Sequence, residues 1–274
     1  MYFNNSANFD NATFNDYACF NAAIFNDSAD FYNVTFSASE FNGAIFNREA
    51  NFEHTTFNDD YADFIAATFN DSAKFDNVIF NRGTKFNSAI FNDVAYFKHT
   101  IFYRDADFQY TIFNDHANFI AAIFNDSAQF NGAIFNREAN FEHTTFNDST
   151  GFKDVIFNHH AYFQNGNFNK DAKFRVPDSS ENIITDGKTC AFFMKEYNDE
   201  AQYIDVDNIY YNYRKYKQDR KELSISKGTD ILSWITCGYG VRLSNTIGCI
   251  ISILVFFSYF YYFGSAEGHE YPVL

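Results

Sequence analysis

The sequence predicts an all-β solenoid, followed by a helical cap and one long apolar helix. The first observation behind this is a phenylalanine stride that alternates five and six residues. It runs through Phe9, Phe14, Phe20, Phe25, Phe31 and Phe36, then from Phe64 through Phe69, Phe75, Phe80, Phe86, Phe91 and Phe97 to Phe168 and Phe174. A strand repeats at two and an amphipathic helix at 3.6, so a unit of eleven marks a stacked array. The second observation is that 189–222 holds no Pro or Gly and spaces its apolar residues at three to four. The third is an uncharged apolar run over 244–263.

Within each unit a small residue stands two positions before the Phe, as in Ala29-Asp30-Phe31. Both then point inward, the ring filling the core and the Ala leaving room for the backbone to turn. Two units make a coil of about 22 residues with four Phe, one for each face. Coils about 4.8 Å apart stack Phe on Phe in four columns. Ordering the residues of one coil costs more than burying its rings returns, so stability comes from neighbouring coils and protected ends. The array grew by duplication, because FNGAIFNREANFEHTTFND occurs at Phe41–Asp59 and again at Phe130–Asp148. A short step from Phe36 to Phe41 and a long one from Phe57 to Phe64 predict a bulge or a loosened corner.

A β-branched residue precedes the second Phe of each unit, from Thr13, Ile24 and Thr35 to Ile134, Thr145 and Ile156. These residues are expected on two opposite outer faces, and mixed polar residues such as Asp30, Lys74, Lys85 and Asp107 on the other two. Asn follows the same Phe in most units, including Asn26, Asn47, Asn114, Asn136 and Asn158, which predicts a stacked ladder at a left-handed turn.

The motif seen in Ala7-Asn8-Phe9, Ala50-Asn51-Phe52, Ala62-Asp63-Phe64, Ala106-Asp107-Phe108 and Ala139-Asn140-Phe141 resembles the pentapeptide-repeat family. Phe replaces the more usual Leu, and one extra residue follows every second pentapeptide. The resemblance covers about residues 3–175 and implies a right-handed quadrilateral β-helix.

Pro177 ends the rhythm, giving expected divisions of 1–176 for the β-helix, 177–232 for a helical cap and linker, and 233–274 for a juxtamembrane segment and single transmembrane helix. In the cap, Phe192, Phe193, Tyr197, Ala201 and Ile204 form one stripe, and Ile209, Tyr210, Tyr213, Tyr216 and Lys217 another, which predicts a helical hairpin with Asp205 or Asp207 capping its second member. Its expected task is to close the end of the β-helix.

The run 244–263 is long enough to cross a bilayer, with Tyr259, Tyr261 and Tyr262 at one end. Lys221, Lys227 and Arg242 precede it, whereas Glu267, His269 and Glu270 follow, so the positive-inside rule places the repeats in the cytoplasm of a single-pass membrane protein. Thr236-Cys237-Gly238-Tyr239-Gly240 looks like a potassium-channel filter, but it stands before the span and not after it. Asp207-Asn208-Ile209-Tyr210-Tyr211, Arg214, Leu232-Ser233-Trp234 and Cys237–Arg242 together resemble the junction of pentapeptide-repeat proteins that carry a potassium-channel-like module. With neither pore loop nor second span before Leu274, the expectation is a truncated relative.

A net charge of -15 and a pI near 4.7 argue against direct nucleic-acid binding. Cys19, Cys190, Cys237 and Cys249 are scattered, so a reducing compartment is expected, and from Met1-Tyr2-Phe3-Asn4 no secretory leader is expected. None of the seven His stands in a motif with a Ser or Cys nucleophile or a paired metal ligand, so no enzyme, cofactor, catalytic residue or metal site is expected. The leading functional expectation is a membrane-anchored scaffold. It would engage a protein partner, or self-associate, through its β-helix faces or its amino-terminal end. The alternatives are an acidic DNA mimic that regulates a topoisomerase and a fragment of a potassium-channel-like channel.

Overall fold

The computed structural model of the chain describes residues 1–58, 62–169, 174–177, 180–221 and 225–266. It divides into two compact units, Met1–Ile209 and Tyr210–Leu274.

The first unit is a solenoid of the right-handed type with about 8 turns. A regular coil has four two-residue strands, Ile90–Phe91, Ala95–Tyr96, Ile101–Phe102 and Ala106–Asp107, one on each of four faces. Each pairs in parallel with its counterpart one coil on, in the registers Ile90↔Ile112, Ala95↔Ala117, Ile101↔Ile123 and Ala106↔Ala128. That is the expected coil of 22 residues. The in–out alternation of a strand then decides the interior: Ala95 and Phe97 are buried, while Tyr96 between them faces out and is half-buried.

The rings form four columns. One runs Phe20, Phe41, Phe64, Phe86, Phe108, Phe130, Phe152, with near-parallel neighbours 4.8–5.0 Å apart. The column across the core, from Phe9 through Phe97 to Phe163, meets it edge-on, as where Phe97 and Phe108 lie 5.6 Å apart at 89°. Offset stacking along the rod and edge-to-face contact across it satisfy the ring quadrupole in both directions.

The corners are of two kinds. After every Phe of the second and fourth faces the chain turns through a residue of positive φ, among them Ala66 (54°), Asn77 (59°), His99 (56°), Tyr110 (57°) and Ala121 (55°). The following N–H bonds back to the Phe carbonyl, as from Ala89 to Phe86 at 2.9 Å, which makes a type II turn. At the other corners stands the Asn ladder. Each Asn Nδ2 donates to the Oδ1 of the Asn one coil earlier, from Asn26 on Asn4 (2.9 Å) through Asn47, Asn70, Asn92 (2.8 Å) and Asn114 (2.7 Å) to Asn158 on Asn136 (2.8 Å). The expected ladder is present, but its backbone is not left-handed; the positive φ falls two residues after the other Phe. Those ladder corners bend by Asp side chains accepting the next N–H, as Asp93 does from Val94 at 2.7 Å.

The early irregularity is a pair of cancelling errors. Ile24 pairs with Ile45 and Ile45 with Thr68, so one coil has 21 residues and the next 23. In the short coil one strand, Thr35–Glu40, runs through a corner and joins two faces into a single sheet; its partner Thr13–Cys19 shifts register between Phe14 and Tyr17. Residues 59–61 of the long step lie outside those described.

The solenoid's carboxyl end continues into Ile183–Ile184, paired with Ala161–Tyr162, and then into helix α1, Gly187–Asp199. Asp186 caps α1 by accepting from the Thr189 N–H at 2.8 Å, and it also takes the Asn165 N–H at 2.5 Å from the last coil. Phe192 stacks on Phe168 at 4.7 Å and Phe193 meets Phe163 at 5.2 Å, so the helix carries the aromatic core over its end. Two expectations for the hairpin need correction. Ala201 is not on the stripe but is the left-handed link (φ 60°) between α1 and α2, Tyr203–Asp219, and Ile204 is 77% exposed. Asp205 does not cap α2; it lies inside the first turn and accepts from the N–H of Ser180 at 2.9 Å and from its hydroxyl at 2.8 Å.

The second unit begins within α2 and continues through α3, Ile225–Cys237, one 3-10 turn, Gly238–Gly240, and α4, Leu243–Ala266. Helix α4 covers the expected span, yet among the described residues no helix is long and apolar enough to cross a membrane. The side chains of 244 and of 260–263, which the expected span includes, lie outside those described.

Phe108 is fully buried between two stacked rings, whereas Ile112 faces out on the same coil. Phe108→Ala is therefore expected to cost about 3–5 kcal/mol in denaturant unfolding and Ile112→Ala about 1 kcal/mol or less; equal costs would contradict the inward column. Burial pushes the Cys190 thiol up to about 11, while Cys19 is exposed. Iodoacetamide at pH 8 should thus label Cys19 and spare Cys190 in the folded chain, as read by peptide mass.

Candidate functional site

Because the interior is filled with rings, chemistry with a partner falls to the outer columns. The 22-residue register sorts them. The first face stacks Ile24, Ile45, Thr68, Ile90, Ile112, Ile134 and Ile156, an aliphatic column broken by one Thr. The opposite face stacks Thr13, Thr35, Thr56, Ile79, Ile101, Ile123 and Thr145. Successive β-branched residues along the chain belong to opposite faces, so the sequence presents two orderly columns as one irregular alternation. Only a stride of 22 separates them.

The Asn ladder borders the Ile column, so the first face is flat, uncharged and amide-edged. Ile156 at its end is 49% exposed. The remaining faces are mixed. Lys74 reaches Glu49 at 2.9 Å, and Lys85 reaches Asp63 at 3.4 Å. Burial raises the Asp63 carboxyl, against the opposing pull of Lys85; hydrogen bonds from Tyr17 and Asn21 lower Glu40.

His54, His99 and His143 all occupy left-handed turn positions. His116 lies against Asp115 at 2.5 Å, and that contact lowers the Asp115 carboxyl against its desolvation. Among the described residues no group of His, Cys, Asp and Glu is arranged to hold a metal ion.

In the second unit Gly238-Tyr239-Gly240 is a joint between α3 and α4. All three residues have positive φ, at 54°, 60° and 93°, and a Cβ on Gly238 would stand 2.4 Å from Arg242 Cβ. The buried Tyr239 hydroxyl bonds to Gln218, and its ring lies 4.8 Å from the Arg214 guanidinium. Arg214 also donates to Tyr210 (3.0 Å) and to Asp230 (3.1 Å), and the Trp234 indole donates to Tyr211 at 2.7 Å. The tyrosine of the filter-like run thus packs into an aromatic and cationic knot. Beyond it, α4 exposes Ile247, Ile250, Ile251, Ile253, Leu254, Val255, Phe256, Phe257 and Tyr259, each by 49–65%. Consecutive positions from Ile253 to Phe257 point around the whole helix, so its apolar surface has no polar side there.

No curated protein matches this sequence significantly. One solved structure that matches is trypsin-treated QnrB1, described as a plasmid-mediated fluoroquinolone resistance protein; it has 16% identity over 72% of this chain and 96% of its own, and its TM-score of 0.39 is too low to carry weight. The family model for pentapeptide repeats (9 copies) matches at 20–68, 41–90, 64–112, 86–134, 97–145 and 130–175, more than half of the chain. Those matches fall within the stacked coils, which begin at Tyr2, and the chain belongs to the pentapeptide-repeat family.

Proposed function

We propose that this protein is a non-enzymatic scaffold held at a membrane by α4, with its β-helix docking a protein partner on the flat Ile-lined face. The supporting observation is the exposure of α4 on every side over Ile253–Phe257, since water does not tolerate so large a continuous apolar surface. Cations of 210–242 precede that helix, which favours a cytoplasmic solenoid. On this reading the repeat rod is a rigid arm: its chemistry is shape and surface, and the membrane sets where it acts. The Ile column and its amide border form a surface that loses little on desolvation, because the ladder's amides already bond to one another.

The topoisomerase-mimic alternative is less well supported. Lys74 and Lys85 stand in columns of mixed polar residues and pair with Glu49 and Asp63, and the first face carries no charge along its outward column. A channel role would need a filter, whereas Tyr239 is buried and bonded within its own unit.

Membrane fractionation of the full chain tests the anchor. The chain is expected in the membrane pellet and resistant to alkaline carbonate, and Leu254→Arg with Val255→Arg is expected to release it, since each Arg at a helix centre costs about 2.5–3.5 kcal/mol. Full recovery of the unaltered chain in the soluble fraction would overturn the anchor.

A further inference from the structure

We infer that the Ile-lined face pairs with the same face of a second copy of this chain, the two rods running antiparallel. This inference rests on the docking face proposed above and names its partner.

The face is uncharged well beyond its outward column. Six segments, at 21–26, 42–47, 65–70, 87–92, 109–114 and 131–136, cross it and its leading corner one above another, and none contains Asp, Glu, Lys or Arg. Backbone bonds hold them in register, as from the Ala22 N–H to the Asn42 carbonyl (2.8 Å), from Ala66 to Asn87 (2.9 Å) and from Ser88 to Gln109 (3.0 Å). The opposite face has no such patch, since its equivalent segments carry Asp10, Glu53, Asp76, Lys98 and Glu142. Both faces are short strands backed by Phe, so the coil itself does not require the difference.

Two copies of a chain with a net charge of -15 repel, and this is the face on which they meet without opposing like charges. Its coils repeat at about 4.8 Å, a spacing that a second copy matches along the whole patch. A two-fold axis across the rod, between the third and fourth of the six coils, lays the Ile column of one copy along that of the other and reverses the coil order. Ile24 then meets Ile134, Ile45 meets Ile112 and Thr68 meets Ile90.

Two features outside that column agree with the same axis. Tyr110 is the one bulky residue in the corner column Ala22, Gly43, Ala66, Ser88, Tyr110 and Gly132, and it stands 63% exposed. The axis sets it over Gly43 of the second copy, a position where even a Cβ would meet nothing within 4 Å. Beyond the Asn ladder, the bordering column reads Asp27, Arg48, Asp71, Asp93, Asp115 and Arg137. Reversed upon itself, it brings Arg137 to Asp27 and Arg48 to Asp115, each twice by symmetry. Only Asp71 and Asp93 meet a like charge, at the rim, where such a contact costs little. An axis along the rod would set each coil against itself with the columns mirrored, and neither match would arise.

The test measures the mass of the full chain in detergent micelles by sedimentation equilibrium. A monomer-dimer equilibrium in the roughly micromolar range is expected, as for a patch smaller than most stable interfaces. Ile90→Glu with Ile112→Glu should weaken it roughly 100-fold or more, and the matching pair on the opposite face, Ile101→Glu with Ile123→Glu, should leave it unchanged. Arg48→Glu with Arg137→Glu should weaken it roughly 5- to 10-fold, and adding Asp27→Arg and Asp115→Arg should restore it. In a chain whose native cysteines are replaced by Ser, a short bismaleimide should join Ile24→Cys chains to Ile134→Cys chains but not Ile24→Cys chains to each other. The reverse pattern would overturn the antiparallel order. A monomer at every concentration, or a dimer that survives Ile90→Glu with Ile112→Glu, overturns the pairing. Either result leaves the anchor standing, because membrane fractionation of the same variants reads it separately.

Discussion

The rise between coils is the constraint on which the rest depends. Parallel backbone hydrogen bonds hold successive strands about 4.8 Å apart, and every Phe column must accept that spacing. Ring centroids from Phe3 on Phe25 (4.5 Å) to Phe146 on Phe168 (5.4 Å) do so. Rings stacked at this distance are met by those of the column across the core at close to 90°, as Phe108 is by Phe97 and Phe119. Backbone ladder and aromatic core are therefore one lattice, and neither is stable without the other. This is why a small residue, most often Ala, Val or Thr, stands two positions before the ring: a larger one would break the lattice. At Thr55, Thr100, Thr111 and Thr144 the buried hydroxyl donates to the Phe carbonyl of an earlier coil, as from Thr100 to Phe75 and Thr111 to Phe86, whereas the buried hydroxyls of Ser39 and Thr84 have no such partner.

The same lattice organises the exterior. Every outward position is repeated above itself, so like residues form columns whether or not a partner requires them. An Asn column becomes a chain of amide bonds, and an Ile column becomes a continuous aliphatic strip. Function in such a rod resides in which column is apolar, which is charged and where a column is broken. The second unit follows another logic: Arg214, Lys217, Arg220 and Arg242 lie against tyrosine rings and Lys215 against Trp234, with the Gly238-Tyr239-Gly240 joint between α3 and α4.

Much of this was legible in the spacing of Phe alone. The inward pair of Phe and its small neighbour, the coil length and the capping role of Phe192 and Phe193 all follow from period and composition. The placement of β-branched residues on two opposite faces was legible, but the gathering of Ile into the first column was not, because the chain interleaves the two columns. The left-handed turn was assigned to Asn by its intrinsic preference, but the corner geometry assigns it to whatever residue follows a Phe by two, including His99 and Tyr110. In the cap, periodicity overran the end of α1 because Ala201 and Ile204 keep helical spacing across a break that a left-handed residue makes. The family was legible from its motif; the identity of a partner was not, since a surface column encodes shape and polarity and no chemistry of reaction.

The central claim is that residues 22 apart are stacked neighbours while residues 11 apart lie on opposite faces. In a chain whose native cysteines are replaced by Ser, pyrene is attached to Cys introduced at Ile90 and Ile112, or at Ile90 and Ile101. Strong excimer emission from the first pair and none from the second is the predicted result. Excimer emission from the second pair, or its absence from the first, would contradict the stacked four-faced coil.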